Sequence, residues 1–143
     1  MTLTLTSLHP SRRPPIREWR RCFRRLADAL RAAPPPGYAF AHREVGVALV
    51  DDPLIARMNF ERLRHRGPTD ILTFDYGDGS GELVISLDTA AREAAARRLP
   101  LRREVSLYVA HGLLHLAGME DRTPAHRHAM RRAERALLTA AGL

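Results

Sequence analysis

The stretch from about Leu101 to Ala117 most constrains what this chain can fold into. Val105, Leu107, Val109, Ala110, Leu113, Leu114 and Leu116 make it apolar nearly all round, so a helix here must lie in the core. Into that run the sequence sets two histidines, His111 and His115, at positions i and i+4. Such positions share a helix face with Cβ atoms about 5–6 Å apart. From there two imidazole nitrogens can meet one ion at about 2.0–2.1 Å each. Buried polar groups need partners, and one ion serves both rings. Gly118 suits the left-handed position that ends a helix, so the chain can turn back and bring Asp121 towards the pair.

The stretch therefore reads as a metal site with His111, His115 and Asp121 as ligands. Three protein ligands with an open fourth position is the layout of a catalytic zinc. Zinc is the first choice for the single divalent ion, and iron, nickel or manganese suit the same donors. His126 and His128, just beyond the site, and Glu120, beside Asp121, compete for the third place.

The spacing follows the H-E-x-x-H-x-x-G-x-x-H pattern of zinc peptidases except at two positions. Gly112 stands where those enzymes keep the glutamate that activates water, and Asp121 stands where they keep a third histidine. Without that glutamate, peptide hydrolysis lacks its usual base. Glycine at 112 is expected to leave room beside the metal for a bulky substrate.

Around this helix the pattern is mixed. Residues 2–6 alternate as a short strand, and a Pro- and Arg-rich connector leads to a helix from Ile16 to about Ala33. Its apolar face carries Ile16, Trp19, Phe23, Leu26 and Leu30, with six arginines clustered on the other side. Those arginines read as a solvated face or as an RNA-backbone contact. Val45 to Val50 is a strand. Asp52-Pro53 looks like an N-cap and first helical position, opening a helix to about Arg62. Strands at 69–74 and 82–87 are expected to pair across a loop too long to promise a tight hairpin. Helices follow at about 88–98, 101–117 and 124–141. The expectation is one α+β domain over all 143 residues, a small mixed sheet packed with helices and the metal-site helix in the core.

Charge points to the substrate. The net charge is +7 and all 23 basic residues are arginine, which favours an anionic partner, nucleic acid first. The single cysteine, Cys22, excludes an internal disulfide and fits a reducing compartment. No secretory signal or run of about 18 apolar residues is present. A cytoplasmic, membrane-free location is expected, and oligomeric state is not legible.

Three further motifs, taken with the histidine stretch, fix the reading. Met58-Asn59, Pro68-Thr69-Asp70-Ile71-Leu72-Thr73-Phe74, Gly81-Glu82-Leu83-Val84-Ile85-Ser86 and His111-Gly112-Leu113-Leu114-His115-Leu116-Ala117-Gly118 stand in this order and spacing in the YbeY-type endoribonucleases, which the chain resembles from about Val45 to Leu138. The resemblance implies a metal-dependent endoribonuclease that trims small-subunit ribosomal RNA and takes part in ribosome assembly or quality control, with RNA and the small ribosomal subunit as partners. It also implies arginines around the cleft that hold the RNA backbone. Two departures stand out. The family's usual third histidine is replaced by Asp121, which makes the site less positive. Leu63 holds the register of a functionally important arginine. Arg62, Arg64 and His65 flank it and one of them is expected to substitute, with Arg64 and His65 the candidates for a catalytic or substrate-contacting role. Asp70 reads as a loop cap rather than a base. The rival readings are a zinc hydrolase of a peptide or small molecule, and an assembly factor whose metal is mainly structural.

Overall fold

Strand and helix periodicities sort the chain into nine elements in a computed structural model describing residues 1–143. They are β1 (Thr2–Ser7), α1 (Ile16–Ala32), β2 (Glu44–Val50), α2 (Asp52–Leu63), β3 (Ile71–Asp75), β4 (Ser80–Ser86), α3 (Leu87–Arg97), α4 (Leu101–Leu116) and α5 (Pro124–Ala140). The sheet is mixed, in the order β1-β2-β4-β3, with β3 alone antiparallel to its neighbour. Helix α1 makes the crossover between the parallel strands β1 and β2.

Strand alternation decides which helix covers which face. Leu3, Leu5, Val45, Val47, Leu49, Leu83 and Ile85 share one core with α1, α4 and α5. Val50, Leu72 and Val84 point the other way and pack under Ile55 of α2. Strand β4 is thus buried on both faces, which is why Leu83-Val84-Ile85 is continuously apolar instead of alternating. Helix α4 is the central helix, as its all-round apolar surface requires: Val105, Val109, Ala110 and Leu113 are fully buried.

Three local readings change. The N-cap of α2 is Asp51, whose carboxylate accepts the Leu54 N–H at 3.0 Å. Asp52 is already helical and turns its carboxylate to the Ser86 and Thr89 hydroxyls, at 2.6 and 2.9 Å. The β3–β4 hairpin is tighter than expected, because both strands run further into the turn. Tyr76 N–H donates to the Ser80 carbonyl at 3.1 Å, and the carboxylates of Asp75 and Asp78 accept the N–H groups of Gly77 and Ser80. Finally, Gly112 does not open space beside the metal. It faces the sheet, where a Cβ would lie 2.6 Å from Leu83 Cδ2 and 2.9 Å from Ile71 Cδ1. The glycine is there so that α4 can lie close on β3 and β4.

A polar network holds the far ends of the parallel strands together. Asp88 accepts from His9 Nε2 at 2.8 Å and from the Asp52 N–H at 2.9 Å, while Arg92 pairs with Asp52 at 2.9 Å. Burial works to raise the pKa of both carboxyls. The hydrogen bonds from Ser86, Arg92 and Thr89 on Asp52, and from the Asp52 N–H, His9 and Arg12 on Asp88, outweigh it and leave both below the ordinary carboxylate value. A lowered native pKa adds stability that is present in full above the unfolded value of about 3.9 and is lost as pH falls through the native one. Urea titrations of Asp52→Asn and Asp88→Asn should therefore show a deficit at neutral pH that narrows as the pH drops below about 4. A gap of constant size from pH 7 to pH 2 would show that these charges do not contribute.

Candidate metal centre

The site is built by the way α4 ends. Gly118, at φ +105°, donates its N–H to the His115 carbonyl at 2.9 Å, and Met119 N–H returns to the Leu114 carbonyl at 3.1 Å. This is the paired closure of a helix by a left-handed glycine. It does two jobs at once. It carries the chain back so that Asp121 faces the helix, and it sets the Met119 carbonyl 2.9 Å from His115 Nδ1.

A carbonyl can only accept, so His115 Nδ1 carries the proton and Nε2 presents a lone pair. The same holds for His111, whose Nδ1 lies 3.3 Å from a carboxylate oxygen of Glu134 on α5. The two Nε2 atoms are 3.0 Å apart, and Asp121 Oδ2 lies 3.4 Å from the first and 3.5 Å from the second. Three acceptors thus converge with no donor among them, an arrangement that calls for a cation at its centre. For ligands about 2.0–2.1 Å from one tetrahedral ion, the spacing between donor atoms is about 3.3 Å, so the triangle fits. The His111 and His115 side chains are 25 % and 26 % exposed, which leaves one side of the triangle reachable from solvent.

Burial by itself lowers the His111 pKa. The hydrogen bond and charge of Glu134, with the charges of Asp121 and Asp70, more than reverse this and raise it above the usual imidazole value. One turn further back on the same face of α4, burial is the largest influence at Tyr108, and there it acts in the direction of the shift. Together with the nearby Glu104 carboxylate it holds the phenol protonated far above its ordinary range. Glu104 itself is 1 % exposed and is met by Arg97, with Nη1 3.1 and 3.2 Å from its two oxygens.

Two clefts border the site: His111 lines both, and His115 and Asp121 line the larger. One, of about 620 Å³, runs past Thr69, Arg92, Arg97, Tyr108 and Glu134; the other, of about 700 Å³, runs past Leu63, Asp75, Glu120 and Arg122. Asp70, Ile71 and His111 line both. The lining carries more carboxylates than guanidiniums, and Arg92 and Arg97 are already paired with Asp52 and Glu104. Arginine-rich cleft walls are not what the fold provides.

The structure brings His111, His115 and Asp121 together and leaves their competitors out. His126 and His128 are exposed on α5, and Glu120 lines the cleft without joining the triangle. Arg64 and His65 are exposed at the end of α2 and line neither cleft, whereas Leu63 does. Asp70 accepts its own neighbour's N–H, from Ile71 at 2.7 Å, as a loop cap does. Asn59 is buried and ties the loop after α2 through a bond from Nδ2 to the Gly67 carbonyl. Sequence reasoning missed Glu134. Its signal was an acid at the heart of the apolar Met130, Leu137, Leu138 stripe of α5, a position where a carboxylate needs a partner.

Comparison with known proteins gives the family and the fold. The family described as Endoribonuclease YbeY matches residues 11–142. A Rhodopirellula baltica protein named Endoribonuclease YbeY is 44% identical over 69% of this chain and 54% of its own length, so the chain spans little more than half of that relative. An Anaeromyxobacter protein of the same name is 40% identical over 100% of this chain and 73% of its own length. A solution structure from Thermotoga maritima superposes with a TM-score of 0.67 at 19% identity, covering 98% of this chain and 89% of that one, and so shares the fold. The chain belongs to the endoribonuclease YbeY family.

Proposed function

We propose that the chain acts as a metal-dependent endoribonuclease in small-subunit ribosomal RNA maturation and ribosome quality control, working in the cytoplasm as one domain. The observation that carries the reading is the donor-free triangle of His111 Nε2, His115 Nε2 and Asp121 Oδ2. Its donors suit a single divalent ion, with zinc the first choice. Such an ion supplies Lewis acidity towards water and a phosphate oxygen. The chain's own residues do the positioning. Glu134 and the Met119 carbonyl fix the tautomer and the plane of the two imidazoles. Gly112 seats α4 on the sheet, and Asp70, which lines both clefts, shapes its loop. Arg64 and His65 stand exposed next to Leu63 at the cleft edge, where an RNA chain entering the cleft could meet them.

The test compares wild-type protein with His115→Ala on structured and single-stranded RNA, each with and without a chelator. Wild type should cut, while the variant and the chelated protein should fall together to the no-enzyme rate. Equal cleavage by both proteins would mark the activity as a contaminant and refute the reading.

A further inference from the structure

The positive charge of this protein is not spread over it. Residues 12–31 hold eight arginines against two acids, while the other 123 residues hold fifteen arginines against fourteen acids. Six of the seven net charges thus belong to α1 and the connector before it. All eight of these guanidiniums are exposed. Some are occupied: Arg24 pairs with Asp28, and Arg31 bonds the His42 carbonyl. Arg17, Arg20 and Arg21 make no hydrogen bond or ion pair within the chain, and Arg25 reaches only Cys22 Sγ, at 3.5 Å. A hollow of about 670 Å³ between α1, β1 and the start of α4 gathers Arg20, Arg21, Arg24, Arg25 and Arg102.

The metal clefts are different in character, with more carboxylates than guanidiniums in their lining. Arg102, held against α1 by its 2.6 Å pair with Glu18, precedes His111 by nine residues. The two places are therefore about 14 Å apart along α4. We infer that the outer face of α1, centred on Arg17, Arg20 and Arg21, is a second RNA surface that grips the phosphate backbone away from the metal. The inference rests on the reading of the substrate as RNA.

The chemistry of the face selects the partner. Guanidiniums are suited to bidentate phosphate contact. No aromatic ring accompanies them, because Trp19 and Phe23 are turned into the core, so bases have nothing to stack on and the grip is independent of sequence. The same inward turn removes the apolar face that a helix lying on a membrane would need. A cleft poor in free cations orients one phosphate at the metal, and the distant arginines supply the affinity that holds a long RNA there.

The test measures binding of a structured RNA across a salt series by fluorescence anisotropy, with circular dichroism to confirm folding. The α1 variant is R17Q/R20Q/R21Q. A control, R98Q/R132Q/R135Q, removes the same charge from exposed positions elsewhere. The α1 variant should bind about tenfold or more weakly, with the slope of log K against log salt reduced by about 2–3, while the control stays near wild type. His115→Ala should bind like wild type, which separates this surface from the catalytic reading: lost cleavage with retained binding is the expected pair. Equal losses in the α1 and control variants would reduce the effect to net charge and overturn the inference, as would wild-type binding by the α1 variant. Salt-sensitive binding to phosphatidylserine vesicles without any to RNA would overturn it in favour of a lipid surface.

Discussion

His111→Ala protein should hold no stoichiometric metal, although it should fold. The removed ring is a quarter exposed and contributes one corner of the triangle, and two remaining ligands cannot close a tetrahedral site. Asp121→Ala should weaken binding strongly, since the His126 and His128 side chains that could have replaced it lie exposed on α5. Glu134→Ala removes no ligand. It frees His111 Nδ1, so the ring can turn and change tautomer, and a loss of about 10–100-fold in metal affinity is expected. The series is read by elemental analysis and chelator competition, with thermal melts as the folding control. Full stoichiometry in the His111 variant would mean that the triangle is not the metal site. An unchanged affinity in the Glu134 variant would confine that residue to packing.

Gly112→Glu would give the helix the glutamate of the zinc peptidases, and the expected result is a protein that does not fold. Even the first carbon of the new side chain would sit 2.6 Å from Leu83 Cδ2 and 2.9 Å from Ile71 Cδ1, and Leu83 is fully buried in the core. Overpacking of this kind costs about 1–3 kcal/mol. A carboxylate pressed into an apolar contact without a partner adds several more. Against a typical stability of about 5–15 kcal/mol the sum is severe. Expression in the soluble fraction and urea unfolding would check it. A soluble variant whose melting temperature matches the wild type within a few degrees would show that α4 can lift off the sheet at little cost.

Gly112 also shows where sequence reading stops. Its place in the motif was legible, and so was the missing general base. The direction it faces was not, because a helix wheel cannot say which neighbour arrives on a given side. His111, His115 and Gly118 were readable since their meaning is local: helix pitch joins the first two, and a left-handed stop needs glycine. Asp121 followed from that stop. Glu134 comes from another helix, 23 residues on from His111, and only packing reveals that its carboxylate lands on the imidazole. The α+β class and the buried helix followed from periodicity. The cap of α2 slipped by one residue because Asp51 and Asp52 are equally good caps in isolation. The preference of Asp52 for Ser86 and Thr89 is a tertiary fact.

The two clefts that His111 lines bear on where along a chain this protein can act. A pocket closed on one side accepts only a terminus, since the strand has to stop inside it. Here open cleft lies on both sides of His111, past Arg97 in one direction and past Arg122 in the other. A strand can be laid across the site from the side and continue beyond it both ways. Geometry of that kind admits a phosphodiester in the interior of a long molecule without any free end being threaded through.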